Sequence, residues 1–341
     1  MSNNKMSENS MSQNKPVIAV TLGDPGGIGP ELIAKLFAEN EVFADTHTVL
    51  IGDRWLWEEG QRVVGVNLDL PEVTSFAEVR EHDSPVFLEM DTVAREQTAY
   101  AEANEHGGAS VLAVLDRCIE GYKAGEVDGI CFGPLNKYAM KLGGLGHEDE
   151  LHWFVNKLGV TDFFSEFNTL GTLWTSRISS HVPLKDAHTY ITEERIISAA
   201  TLIHDTLRKA GFAEPRVAVA GFNPHAGEGG TCGREEIDII APAVEKCRAQ
   251  GYSIVGPFPA DTIFLKARDG ELDAVVTMFH DQGQIAIKML GFHEGVTILG
   301  GLPVPVGSPA HGTAYDIAGQ NKANLTPTRN AFNLVKAMCS H

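Results

Sequence analysis

From Pro16 onward, short apolar runs alternate with longer stretches of helical period, the pattern of βα units built on a mostly parallel sheet. Val17 to Leu22 reads as a buried first strand that runs into Gly23-Asp24-Pro25-Gly26-Gly27-Ile28-Gly29. Pro30-Glu31 then opens a helix to about Ala38, with proline in the first turn and an acid beside the positive end of the helix dipole. Val49 to Gly52 predicts a second strand, and a helix from about Ser110 to Ala124 leads into the apolar run Gly129 to Phe132 and the loop Gly133-Pro134-Leu135-Asn136-Lys137. Further strands are predicted at Leu173 to Ile178, Arg216 to Ala220, Ser253 to Val255 and Ala274 to Phe279. Helices are predicted at Glu193 to Ala210, Glu235 to Gln250 and, last, Thr328 to Met338. No repeat or low-complexity linker breaks the pattern, so domain limits follow the motifs: a first α/β domain over 16–140 plus 315–341 and a second over 141–314.

A chain of 341 residues can bury two cores of ordinary size without covalent staples. Cys118, Cys131, Cys232, Cys247 and Cys339 are odd in number and form no CxxC pair, which argues against a disulfide framework or a thiolate zinc site and fits a reducing cytoplasm. No apolar run reaches the roughly 18 to 20 residues that span a bilayer, and the start lacks a basic segment followed by an apolar one. Neither a membrane nor secretion is expected. The net charge of −18 repels phosphate backbones and excludes nucleic acid as an expected partner. It leaves room for a small acidic substrate, because a metal or a few cations can dominate one cleft. Residues 1–15, MSNNKMSENSMSQNK, are too polar to order themselves and are expected to form a disordered tail.

Three histidines each sit just beyond a predicted strand, in Ser179-Ser180-His181, Asn223-Pro224-His225 and Phe279-His280-Asp281. Ligands of open α/β sheets gather at the carboxyl ends of strands, so these side chains, distant in sequence, can converge on one crevice. Three imidazoles with an open fourth position suit a divalent metal: zinc first, with cobalt, nickel, manganese or magnesium also admitted. There is no HExxH, so this is a convergence of strand ends rather than a local metal motif. The turn Gly23 to Gly29 is not GxGxxG. Gly26 and Gly27 would still let the backbone approach a ligand, with helical N–H groups beyond them offered to an anion; a plain strand-to-helix turn is the alternative. The loop His311-Gly312-Thr313-Ala314-Tyr315-Asp316-Ile317-Ala318-Gly319 can lie flat against an adenosine, with Asp316 or a backbone amide taking its polar atoms; close packing at a helix start is the alternative. Lys137 and Lys288 are cations next to apolar strand ends, able to bind an acidic group or assist proton transfer.

In this order, GDPGGIGPE (23–31), GPLNK (133–137), SSH (179–181), NPHAGEGG (223–230), PADTIF (259–264), FHDQGQIAIKMLGF (279–292) and HGTAYDIAG (311–319) closely resemble the 4-hydroxythreonine-4-phosphate dehydrogenase (PdxA-like) family. The last segment also resembles the adenosine loop of isopropylmalate dehydrogenases. The resemblance implies a two-domain α/β/α fold of the isocitrate/isopropylmalate dehydrogenase type. It also implies a homodimer whose active site lies in an interdomain cleft completed by the partner subunit. It places the metal triad on His181, His225 and His280, the substrate-binding histidine on His147, the cleft aspartate on Asp261 and the substrate lysine on Lys288. NAD is the implied cofactor, bound through Gly26, Gly27 and residues His311, Gly312, Thr313, Ala314 and Asp316. The general base is left open between Asp261, Asp281, Lys288 and a metal-bound water.

The implied reaction is oxidation of a secondary alcohol in a small β-hydroxy acid, with decarboxylation. Its default substrate is 4-phosphohydroxy-L-threonine, which would place the enzyme in pyridoxine biosynthesis. The chain departs from the family at two points. Thr297 and Val306 stand where an asparagine and an arginine bind phosphate, and His147-Glu148-Asp149-Glu150 replaces His-Thr-Glu, an acidic run read as a solvated face. The departures point to a paralogue acting on a cis-dihydrodiol carboxylate or a sugar acid such as threonate 4-phosphate. An alternative of another class is a non-catalytic binding or acyl-phosphate transfer module.

Overall fold

The structure, a computed structural model, describes residues 15–340. Of the expected tail, residues 1–14 lie outside the described residues. Lys15 does not: its ammonium donates to Ala44 O at 2.9 Å, and its carbonyl accepts from Arg80.

The chain opens with β1 (Val17–Thr21), α1 (Gly29–Phe37), β2 (His47–Gly52), α2 (Arg54–Val64), β3 (Glu72–Val73) and β4 (Val86–Glu89). Then come α3 (Glu105–Lys123), β5 (Gly129–Phe132), α4 (Lys137–Leu142) and α5 (Glu150–Leu158). Next are β6 (Ser165–Leu170), β7 (Leu173–Arg177), α6 (Glu193–Lys209), β8 (Val217–Ala220), α7 (Ala241–Ala249), β9 (Ile254–Phe258) and α8 (Ala260–Arg268). The chain ends through β10 (Ala274–Thr277), α9 (His280–Gly291), β11 (Val296–Gly300), β12 (Val306–Pro309) and α10 (Thr326–Cys339).

Two compact units result, one running to Val160 and including Leu302–Ser340, the other Thr161–Gly301. In the first, the strand order is β3-β4-β2-β1-β5-β12 and the recorded pairings are parallel. Such strands are covered on both faces, which is why Val17–Val20 and Val49–Ile51 are continuous apolar runs without alternation. In the second, the order is β11-β6-β7-β10-β8-β9; β11–β6 and β6–β7 are antiparallel and the remainder parallel. The fold is therefore α/β with mostly parallel strands.

The seams at 160 and 302 differ from those expected at 140 and 315. Residues 141–160 belong with the first unit because α5 packs there. Phe154 stacks on Phe132 of β5, and Lys157 reaches both Asp116 and, through its carbonyl, Lys123 on α3. Residues 302–314 belong there because β12 pairs with β5.

Helix α3 starts at Glu105, not Ser110, because the Asn104 side chain accepts from Gly107 N–H and caps it. The helix expected from Glu235 begins instead with a π turn over Glu236–Ile240 before α7. Among the described residues, no helix is long and apolar enough to cross a membrane.

Candidate functional site

In the second unit β10 lies between β7 and β8 and runs parallel to both, so their carboxyl ends share one edge of the sheet. Each is followed by one of the expected histidines: His181 after β7, His280 at the start of α9 after β10, and His225 after β8. The loops are fastened past the ends of the strands. Ile178 N–H donates to Thr277 O at 2.8 Å, and Ser179 N–H and Oγ both donate to Met278 O. Gln282 accepts from Met278 N–H at 2.8 Å and donates to Gly221 O at 3.0 Å, tying the β10 turn to the loop after β8.

His181 and His280 face one another with ring centroids 5.7 Å apart at 44°. Nδ1 of His280 is 2.7 Å from Asp281 Oδ1, an arrangement that orients the ring and directs Nε2 away from the carboxylate. Two imidazoles binding one cation through nitrogens about 2 Å from it have centroids roughly 5 Å apart, so the spacing of this pair suits a shared divalent ion. The ligating atoms of His181, His225 and His280 do not all lie within 4.8 Å of one another, so His225 is not drawn into the same cluster. His225 is exposed in a run over residues 225–229 of left-handed backbone conformation. Glu236 holds that loop: its buried carboxylate accepts from the N–H groups of Phe222 and Asn223, both at 2.7 Å, and from Asn223 Nδ2. Glu236 opens the π turn that precedes α7.

Asp281, Lys288 on α9 and Asp261 in the first turn of α8 are exposed. Thr297 on β11 stands across from Asn168 on β6, and its Oγ1 accepts from Asn168 Nδ2 at 3.2 Å. Asn168 also meets Arg177, Glu166 and Gln284, a buried polar cluster that sequence reasoning missed. Its one visible signal was an arginine, Arg177, inside the otherwise strand-like run Leu173 to Ile178.

In the first unit, Asp24 Oδ1 accepts from Gly26 N–H at 2.8 Å and from the Tyr315 hydroxyl at 3.1 Å. Gly27 N–H donates to Asp24 O and Ile28 N–H to Thr313 O. The amides of Gly26, Gly27 and Ile28 are thus engaged within the chain. Gly26 and Gly27 allow close packing: a Cβ would stand 2.8 Å from Glu102 O at Gly26 and 2.8 Å from Thr313 Cβ at Gly27. In the 311–319 loop Thr313 is buried, Ala314 takes a left-handed conformation, and Gly312 and Asp316 are exposed. Burial lowers the His311 imidazole from its usual range, although its Nδ1 lies 3.0 Å from Gly312 O.

His147 is half-buried, and Lys137 opens α4 with its ammonium 3.6 Å from Glu150 and 4.0 Å from Asp149. The acidic run is therefore not simply a solvated face. Asp149 is buried and caps α5, accepting from His152 N–H at 3.0 Å with its Oδ1 2.7 Å from His152 Nδ1. Burial pushes the Asp149 carboxyl up, but the bonds from His152 and the nearby Lys137 outweigh it and hold the group below its usual range. Val306 is fully buried in β12, opposite Ile130 of β5.

The chain is a protein of the open α/β-sheet class, in which polar loops on the carboxyl edge of adjacent parallel strands are where ligands are generally bound. The chain belongs to the family described as "Pyridoxal phosphate biosynthetic protein PdxA", whose profile matches residues 44–335. It is 47% identical over 333 residues to a Pseudomonas aeruginosa protein named "Putative 4-hydroxythreonine-4-phosphate dehydrogenase 2", covering 96% of this chain and 98% of that one. It is 37% identical over 318 residues to a D-threonate 4-phosphate dehydrogenase of Cupriavidus necator, covering 92% and 94%. A crystal structure of 4-hydroxythreonine-4-phosphate dehydrogenase from Klebsiella pneumoniae aligns with a TM-score of 0.81 at 32% identity, over 95% of this chain and 100% of that one.

Proposed function

We propose that the protein is an NAD- and divalent-metal-dependent dehydrogenase that oxidises the secondary alcohol of a small phosphorylated β-hydroxy acid, with decarboxylation of the keto acid that forms. 4-Phosphohydroxy-L-threonine is the first substrate assigned. The observation that carries the metal-dependent half is the His181–His280 pair, 5.7 Å apart on neighbouring parallel strand ends, with His225 on the third. Family membership carries the dehydrogenase half.

His181, His225 and His280 would hold the cation, and Asp281 fixes the His280 ring so that Nε2 is the ligating atom. The chemistry that such a cation would supply is Lewis acidity toward an alcohol oxygen, and a bound NAD would supply the hydride acceptor. Asp261 and Lys288 are exposed, and Asp281 is exposed but bonded to His280; these three are the side chains from which the acceptor of the alcohol proton is assigned. Lys288, Lys137, His147 and Thr297 are the side chains offered to the acid and phosphate groups. Lys137 is the most restrained of the cations, because Glu150 and Asp149 already face it. On the first unit, the exposed Gly312 and Asp316 with His311, Thr313 and Ala314 are assigned to the adenosine of NAD, with Gly26 and Gly27 beside them; Gly27 packs directly against Thr313 of that loop.

One observation favours a second reading, a catabolic dehydrogenase for a cis-dihydrodiol carboxylate or for threonate 4-phosphate. Val306 is 0% exposed and carries no donor, and it stands where the resemblance places a phosphate-binding arginine. A turnover assay with NAD, a divalent cation and each of 4-phosphohydroxy-L-threonine, threonate 4-phosphate and an aromatic cis-dihydrodiol separates these. Activity confined to the dihydrodiol would remove the phosphorylated substrate, and no reduction of NAD with any of them would remove the dehydrogenase. His280→Ala should cut kcat/KM by ~100-fold or more while the circular dichroism spectrum is kept; unchanged turnover takes His280 out of the site.

A further inference from the structure

Arg177 ends β7 with only 6% of its surface exposed. A guanidinium that deep is tolerated only when its charge is paired and its donors are bonded. Nη2 donates to Glu166 Oε1 at 3.0 Å, Nη1 to Asn168 Oδ1 at 2.8 Å and Nε to Ser180 Oγ at 2.9 Å. The first two contacts would satisfy the charge within the β6–β7 hairpin. The third leaves the hairpin and grips the residue immediately before His181.

The other side of the cluster reaches the opposing histidine. Asn168 Oδ1, which accepts from Arg177, also accepts from Gln284 Nε2, one helical turn beyond His280 on α9. Asn168 is itself fixed, since its Nδ2 donates to Glu166 and Thr297 and its carbonyl accepts from Thr175 Oγ1. A continuous set of hydrogen bonds therefore runs from the His181 loop, through the guanidinium and Asn168, to the helix that begins with His280. Arginine suits this post because its planar fork fixes several donor directions at once, which a lysine ammonium does not.

We propose that Arg177 is a positioning residue: anchored by Glu166 and Asn168, it sets the separation of His181 and His280 by holding Ser180 against the frame that carries α9. It is not built to read a substrate anion, because Glu166 already neutralises it and almost none of it meets solvent. The consequence for metal affinity rests on the metal-dependent reading of the site; the consequence for ring geometry does not.

Ser180→Ala cuts only the contact to the His181 loop, Ser180→Thr keeps the hydroxyl, and Arg177→Lys keeps the charge but loses the fork. Cobalt affinity is measured by absorbance in competition with a chelator, metal-free thermal stability by calorimetry, and ring separation in crystals of the metal-free Ser180→Ala protein. Ser180→Ala is expected to weaken cobalt binding ~10-fold, the scale of a lost supporting contact to a metal ligand, with Tm nearly unchanged. Ser180→Thr should restore affinity, and Arg177→Lys should weaken it at least as far as Ser180→Ala does. Wild-type affinity in Ser180→Ala, or no recovery in Ser180→Thr, overturns the proposal; if Arg177→Lys does not fold, the serine pair decides alone. If the wild-type protein takes up no cobalt, the metal reading fails by itself. The crystals then decide the positioning claim: rings displaced from 5.7 Å sustain it, and rings unmoved overturn it.

Discussion

Asp24 shows how one buried carboxyl couples a turn to a distant loop. It is 2% exposed, and burial lifts its pKa to about 6 despite hydrogen bonds from Gly26 N–H and the Tyr315 hydroxyl, which favour the ionised form. Burial, and then the Asp24 charge, push Tyr315 up in turn, so its hydroxyl stays a donor. Because the folded protein binds the Asp24 proton more tightly than the unfolded chain does, the stability this group contributes is complete below its unfolded value of 3.8 and is lost as pH rises through about 6. Urea titrations of the wild-type and Asp24→Asn proteins should therefore differ in pH dependence. Between pH ~4 and ~7 the wild type should lose on the order of 2–3 kcal/mol relative to the variant, whatever their offset at either end. Parallel curves would show that Asp24 titrates as an ordinary surface acid.

At the scale of elements, α3 and α4 touch through their backbones. A Cβ placed on Gly108 of α3 would lie 1.8 Å from Ala139 O of α4, too close for any rotamer change to relieve. Alanine ordinarily favours a helix over glycine by about 1 kcal/mol. A net loss of ~1–3 kcal/mol in Gly108→Ala, read by chemical denaturation, is expected and would measure the clash; a gain would mean that the two helices separate freely. This contact is invisible in the sequence, where the helix is expected only from about Ser110. What could be read there was whatever expressed itself as unbroken apolarity. β1 and β5 are buried on both faces and were found almost to the residue, as were the strands preceding the three histidines. β6 is not legible there, because Asn168 and Thr169 occupy buried positions and Asn168 is satisfied by partners on β7, β11 and α9 that no local pattern announces. β12 was missed for the opposite reason, its four residues including a glycine and a proline. The histidines could be found because a strand end is a local feature. The shell that aims them depends on strand order, and strand order is not written in any one segment.

At the scale of the whole molecule, α9 presents two contrasting faces. Gly283, Gln284 and Ile287 are buried, whereas Ile285 is 62% exposed and Met289 83%, with Leu290 beside them. Isolated apolar residues on a surface need no explanation, but side chains a helical turn apart on one face form a patch that association would cover. The expectation to be tested is that a second copy of the chain, in the homodimer that the family resemblance implies, covers this patch. Each copy carries a net charge of −18, so bringing two together is opposed by a long-range repulsion that salt screens over about 10 Å at 0.1 M. Dimerisation should accordingly tighten as sodium chloride is raised from low to physiological ionic strength, the reverse of an interface held by ion pairs. Met289→Glu would remove apolar burial and add like charge on both sides of a twofold contact, weakening the dimer by on the order of 3 kcal/mol, about 100-fold. Sedimentation equilibrium of the two proteins across a salt series reads both effects. A Met289→Glu protein that remains dimeric at the same concentration would place the interface elsewhere, and a wild-type protein that is monomeric throughout would leave the patch on α9 without the partner expected for it.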